Sequence, residues 1–229
     1  MEQFTADAAH EFRTPLAAMH STIEAAFRLY GSTPSLSEPA ASGILQVLQR
    51  QNTRLSQLVR DLLLLARLDQ QQQTGEYKVC CVNDLISDLV EELAFLAIDA
   101  QVTLHTQVSQ QEKLYVMGNE EQLYRLISNL IVNAIQATPH GGKVIVFLQR
   151  SDRHVLIKVQ DTGVGIAPEH QSRIFDRFYR VNQDRSRASG GSGLGLAIVQ
   201  AITTAHKGSI QVHSQIGSGS TFTVRLPVN

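Results

Sequence analysis

Between Ile44 and Asp69 the chain keeps a fixed rhythm. Ile44, Leu48, Gln51, Leu55, Leu58, Leu62, Leu65 and Asp69 follow one another in alternating steps of four and three, the spacing that holds one side of a helix against a neighbour. Only Gln51 and the terminal Asp69 are polar, so this helix has a long seam to bury. Upstream, from Ala8, a second stripe runs through Phe12, Leu16, Met19, Ile23 and Phe27 on a helix expected to end near Tyr30. Residues 31–39, rich in Gly, Ser and Pro, break it. The pair predicts two antiparallel helices joined by a short loop. A lone hairpin has little interior, so the seams predict a second copy and a dimeric four-helix bundle. Packing onto the rest of the same chain is the alternative.

The tract Gln70 to Gln73, followed by Thr74 and Gly75, has no apolar periodicity and reads as a linker. It predicts a helical domain over 1–70, a linker over 71–76 and a second domain over 77–229. In the second domain β-like runs are expected at Tyr77 to Val82, Val102 to Val108, Val144 to Leu148, Val155 to Val159, Ser209 to His213 and Thr221 to Leu226. Helices are expected from Asn83, as N-cap, to Asp99, from Glu120 to Ala137, and from Leu194 to His206 with Lys207-Gly208 as C-cap. The runs 144–148 and 155–159 are close enough for a hairpin. The fold class predicted is α+β: the helical hairpin, then an α/β sandwich with one sheet covered by helices.

Charge narrows the function classes. Twenty Lys and Arg against 21 Asp and Glu give a net charge of -1, without the basic excess that nucleic-acid backbone binding requires. No apolar stretch approaches a membrane span, and no secretory leader opens the chain. Cys80 and Cys81 are adjacent, which excludes a disulfide framework and a zinc site of their own. A reduced, cytoplasmic protein is expected.

Asn129 and Asn133 stand four apart on one helical face. Their amides can address one ligand, and an Asn carbonyl suits Mg²⁺ that completes its shell with water and phosphates; taken alone, the pair also fits helix-surface amides. Asp161-Thr-Gly163-Val-Gly165 follows a strand. A buried acceptor at Asp161 would favour the exocyclic amine of adenine over the carbonyl of guanine, although the motif alone is also an ordinary Asp-Gly turn. Gly190-Gly191-Ser-Gly193-Leu-Gly195 runs into a helix, where free N–H groups suit phosphate; it fits neither Walker A nor G-x-G-x-x-G. Before it lie Arg173, Arg177, Arg180, Arg185 and Arg187, the composition of a mobile cationic flap. Gly217-Ser-Gly219-Ser-Thr221-Phe opens the last strand.

The first helix carries His10-Glu11-Phe12-Arg13-Thr14-Pro15. Thr14 stands where a zinc protease would have its second histidine. Pro15 removes the bond to the Glu11 carbonyl and should kink the helix one turn after His10, with Thr14 on the face of His10.

Together these motifs resemble the catalytic core of a two-component sensor histidine kinase over essentially the whole chain. His10 to Leu16 resembles the H box, Asn129 to Ala134 the N box, Asp161 to Gly165 the G1 box, Phe175 to Arg180 the F box, Gly191 to Gly195 the G2 box and Gly217 to Phe222 the terminal glycine box. The resemblance implies a homodimer with a phospho-accepting histidine, His10, and an ATP-binding domain of the Bergerat type. It implies Glu11 as base and Thr14 in a reverse phosphatase reaction. For nucleotide it implies Asn129, Asn133, Asp161, Gly163, Gly165, Arg180, Gly191, Gly193, Gly195 and Thr221, with Mg²⁺ on Asn133. The expected partner is a response regulator that receives the phosphoryl group on an aspartate. The chain would be the cytoplasmic part of a larger sensor, meeting a membrane only through segments absent from it. Two departures stand out: Gln136 and Ala137 replace the usual Lys and aromatic, which puts more weight on Arg180, and Phe12 replaces the commoner leucine. Two other readings remain open at this point: an ATP-driven clamp, which would usually have Glu at position 129, and a scaffold that binds without catalysis.

Overall fold

The computed structural model describes residues 2–30, 38–70, 76–109, 112–181 and 192–228. The chain divides into two compact units, Met1–Leu64 and Leu65–Asn229. The expected loop at 31–39 and linker at 71–76 fall mostly outside the described residues.

The first unit consists of α1 (Glu2–Tyr30) and most of α2 (Glu38–Asp69). Helix α1 continues as one element through Pro15, whose ring is buried. Arg54 Nη2 of α2 lies 3.7 Å from Glu11 Oε2 of α1. Glu11 sits 19 residues before Tyr30 and Arg54 16 residues after Glu38 (30 − 11 and 54 − 38), so the helices run antiparallel as a hairpin. Ala8, Leu58 and Asp61 are buried, and Gln57 Nε2 donates to Asp61 Oδ1. Several apolar side chains are not: Leu16, Ile23, Leu45, Val59 and Leu63 are exposed, and Phe27 is 74% exposed.

The second unit is a two-layer α/β sandwich. Its five-stranded sheet has the order β2-β4-β5-β7-β6, built from β2 (Thr103–Val108), β4 (Lys143–Ser151), β5 (His154–Asp161), β6 (Ser209–Gln215) and β7 (Gly219–Pro227). β2 pairs parallel with β4 and the other pairs are antiparallel. Side chains alternate across a strand, and this alternation builds the core. Val144, Val146 and Leu148 of β4, Val155, Ile157 and Val159 of β5, and Phe222, Val224 and Leu226 of β7 are all buried. The register pairs Val146 with Val159 and Val159 with Phe222, so they share one face. Helices α3 (Val82–Asp99), α4 (Glu120–Ala137) and α6 (Gly195–Ala205) pack on the sheet, with α4 between the other two. Leu126, Ile127, Leu130 and Ile131 of α4 are fully buried, each worth about 1.5–3 kcal/mol of transfer free energy. A short helix, α5 (Pro168–Gln171), follows the turn after β5.

One expectation fails for a physical reason. Asn83 does not cap α3: Cys81 takes the N-cap position, and Asn83 is buried in the first turn. Its Oδ1 accepts from Leu114 N–H at 2.7 Å, and its Nδ2 donates to the carbonyls of Ser109 and Glu112. The side chain thus satisfies the backbone that enters β3 (Tyr115–Gly118), a strand absent from the sequence reading, which pairs with β1 (Lys78–Cys81) in a separate two-stranded sheet. At the end of α6 the expected Lys207-Gly208 pair closes the helix, with Lys207 left-handed at φ 56°. Lys207 N–H and Gly208 N–H return to Thr204 and Thr203 at 2.9 and 2.8 Å, the double closure of a Schellman motif. Among the described residues no helix is long and apolar enough to cross a membrane.

Candidate functional site

The chemistry-bearing residues lie in both units. On α1, His10 is exposed, Glu11 is partly buried beside Arg54, and Thr14 is exposed. The Thr14 hydroxyl donates back to the His10 carbonyl at 3.4 Å, the local bond that a helical threonine readily makes. Pro15 is buried whereas His10 is exposed, so the histidine side chain is open to solvent.

In the second unit the site grows from the end of β5. Asp161 is 3% exposed and shares the helix-covered face with Val159. Its Oδ1 accepts N–H groups from Gly163 at 2.8 Å and Ser220 at 3.1 Å. Both bonds land on Oδ1, and neither uses Oδ2. Burial raises the Asp161 pKa above the ordinary carboxylate value, and the two N–H groups oppose that shift. Three backbone segments meet around this carboxylate. Val164 N–H donates to the Ala137 carbonyl at the end of α4, and Gly217 N–H donates to Val164 O. Gly219 adopts φ +93°, and a Cβ there would overlap the carbonyl oxygen of Asp161; only glycine permits so close an approach. Gly165 passes equally near the Gln215 backbone.

Asn129 and Asn133, half-buried on α4, face the first residue of α6. A Cβ built on Gly195 would lie 3.3 Å from Asn129 Oδ1 and 3.6 Å from Asn133 Nδ2. Asn129 Nδ2 is buried and has no hydrogen-bond partner among the described residues. The N-cap residue of α6, Leu194, makes no side-chain cap bond, so the start of this helix, with its N–H groups not capped by that side chain, lies next to the two amides, a setting suited to phosphate. Gly193, φ +72°, packs on Phe178, which is itself left-handed at φ 61° and donates its N–H to the Gly193 carbonyl at 3.0 Å. Arg180 is half-buried two residues further on. Of the other arginines before the glycine-rich turn, Arg173 stacks over the Tyr179 ring at 4.4 Å and pairs with Asp176 at 3.8 Å. Gly191, Arg185 and Arg187 fall outside the described residues. Gln136 is exposed.

Thr221 does not join this group. It pairs with Gln160 and His213, and strand alternation turns it to the sheet face opposite Asp161. Its neighbour Ser220 takes the position: it is buried, bonds Asp161 through its N–H, and shares a 2.9 Å hydroxyl contact with Ser214. Counting back by twos from the apolar residues Leu226, Val224 and Phe222 would have found it. Sequence reasoning also missed His206. It is buried, its Nε2 accepts Asn119 N–H at 3.1 Å and its Nδ1 bonds the Ile202 carbonyl at 2.8 Å. It therefore joins the start of α4, which Asn119 caps through Gln122 N–H, to the end of α6.

A helical hairpin with an exposed histidine, followed in the chain by an α/β sandwich with a glycine-lined site, suggests a class of protein, and known sequences agree with it. Residues 1–71 match the His Kinase A (phospho-acceptor) domain, and residues 118–229 match the histidine kinase-, DNA gyrase B- and HSP90-like ATPase family. The chain is 52% identical over 227 residues to the sensor histidine kinase RppB of Synechocystis, covering 99% of this chain and 49% of the relative. It is 38% identical over 224 residues to the sensor histidine kinase CusS of Escherichia coli, covering 98% and 45%. The histidine kinase AdeS of Acinetobacter baumannii superposes with a TM-score of 0.75 at 25% identity, covering 96% of this chain and 98% of that one. The chain belongs to the sensor histidine kinases, and it spans about half the length of the curated relatives it matches.

Proposed function

We propose that this chain uses ATP to phosphorylate His10 and passes the phosphoryl group to an aspartate of a response regulator, acting as a homodimer. The observation that carries the reading is the meeting of Asn129 and Asn133 with the first residue of α6, where Asn129 Oδ1 and Asn133 Nδ2 lie nearest Gly195 and the buried Asn129 Nδ2 has no hydrogen-bond partner among the described residues. The structure of the kinase ShkA, 27% identical with a TM-score of 0.70, covering 99% of this chain and 46% of that one, was solved with the ATP analogue AMPPNP. That supports a nucleotide in the corresponding place here.

Asp161 Oδ2 would select adenine by accepting its amine, while the backbone of α6 and the Asn amides hold the phosphates. No group of three or more His, Cys, Asp or Glu side chains that could hold a metal occurs among the described residues. The donor set therefore fits Mg²⁺ carried mainly by phosphate, with Asn133 as the protein's ligand. Bound Mg²⁺ would neutralise charge on the transferring group. His10 attacks as neutral imidazole, so the proton on its other ring nitrogen needs an acceptor, and Glu11 is the adjacent carboxylate. Thr14 would orient water when the phospho-regulator is hydrolysed. Residues 1–70 would form the acceptor and dimer domain and 77–229 the ATP-binding domain. The exposed stripe of Leu16, Ile23 and Phe27 supports a second copy. Against the ATP-driven clamp, Asn129 stands where such enzymes need a carboxylate, and an amide takes no proton from water.

The test is labelling with ATP radioactive at the γ-phosphate. Wild-type protein should acquire acid-labile, base-stable label, and His10→Gln should acquire none while binding nucleotide as before. Label on His10→Gln would overturn the assignment.

A further inference from the structure

Glu11 and Arg54 form an ion pair across the hairpin, with side chains only 20% and 23% exposed. We infer that Arg54 is a positioning residue for the phosphorylation of His10, bracing Glu11 so that its carboxylate can receive the imidazole proton; this rests on the function proposed above.

Adjacent residues on a helix point about 100° apart. Left alone, a glutamate with three rotatable bonds spends little of its time beside the ring of the preceding residue. The carboxylate of Glu11 has an external anchor. Arg54 reaches it from α2, and the contact uses Oε2, which leaves Oε1 as the acceptor. The two side chains are screened from water far better than an ordinary surface pair, whose tie would be weak. Arg54 also belongs to α2, so the hairpin's own packing fixes where the carboxylate is held. In the transfer step one ring nitrogen of His10 forms the P–N bond as the bond between the γ-phosphorus and its bridging oxygen breaks, and those electrons leave with ADP. The proton on the other ring nitrogen passes to Glu11 Oε1 and then to water. Arg54 stays charged throughout and touches neither His10 nor nucleotide in this scheme.

The experiment compares Arg54→Gln, Arg54→Lys, Glu11→Gln and the Glu11→Gln/Arg54→Gln double variant in steady-state autophosphorylation. Arg54→Gln should lower kcat about tenfold, part of the 10²–10⁴ that a placed acid or base contributes, with KM for ATP unchanged. Arg54→Lys should restore most of it, and in the Glu11→Gln background Arg54→Gln should cost nothing more. A loss that Lys does not restore, or that persists without Glu11, would make Arg54 merely structural and overturn the inference. A rise in kcat would overturn it too, since the pair would then withhold Glu11. A second arm needs no activity: nitrogen-resolved NMR of the His10 ring should show the same change in tautomer ratio for Arg54→Gln as for Glu11→Gln. If wild-type protein takes no label the proposed function fails, and the NMR comparison still decides the role of Arg54.

Discussion

Asp161 carries a cost in stability that its proposed role in binding ATP would explain. Its carboxyl is buried and its pKa is raised, so folding adds protons to this group in the interval between its unfolded and folded pKa values. Wild-type stability contributed by Asp161 therefore rises as pH falls through that interval, and at neutral pH the charged form is the costly one. Asp161→Asn removes that cost, and the amide oxygen can still accept from Gly163 and Ser220. The ligand-free variant should melt at or above the wild-type temperature, whereas its affinity for ATP should fall by about 10- to 150-fold, the equivalent of the roughly 1.5–3 kcal/mol of a charged hydrogen bond. Calorimetry of the melting and titration with a fluorescent ATP analogue check the two halves. Thr14 offers the opposite contrast, because its bond to the His10 carbonyl is long and exposed and little stability depends on it. Thr14→Ala should keep autophosphorylation within about twofold and slow dephosphorylation of the regulator about tenfold or more, followed as loss of label from purified phospho-regulator.

Among the elements, the junction of α4 and α6 governs the site, since one carries the asparagines and the other Gly195. His206 holds that junction as a neutral ring: it receives Asn119 N–H on one nitrogen, bonds the Ile202 carbonyl with the other, and stacks on Tyr77 at 5.0 Å. Burial lowers its pKa below the ordinary 6.5. The unfolded chain thus binds the proton more tightly, and the stability due to this ring is lost as pH falls from about 6.5 through the lower folded value. His206→Gln should be less stable than wild type at pH 7, and its stability should vary less between pH 7 and about 5, measured by urea denaturation. Much at this scale was legible. Helix α4 runs over the expected 120–137, and six of the seven strands among the described residues are near their expected places, because continuous period-two or helical runs carry their own signal. β3 was not, since its four residues Tyr115–Gly118 are too few to show a period. Nor could Asn83 or His206 be read: each is explained by partners 26 to 87 residues away, and distance along the chain leaves no local pattern. Thr221 was misplaced for a smaller reason, a shift of one residue that changes the sheet face.

On the scale of the whole molecule, the helical unit exposes more apolar surface than a monomer needs. Phe27, Ile23 and Leu16 lie along one stripe of α1. In a two-fold assembly every change is made twice, so Phe27→Asp should weaken dimerisation by about 3–6 kcal/mol, twice the burial of one phenylalanine. Light scattering across a dilution series should show the variant as monomer at concentrations where wild type is a dimer. The other consequence concerns the pocket around Asp161. Its two internal bonds fall on Oδ1, and a side chain at Gly163 or Gly219 would overlap the backbone beside it. Under the proposed function, an inhibitor anchored on the remaining oxygen would be hard to evade by mutating these glycines, because a side chain that excludes it would also exclude ATP.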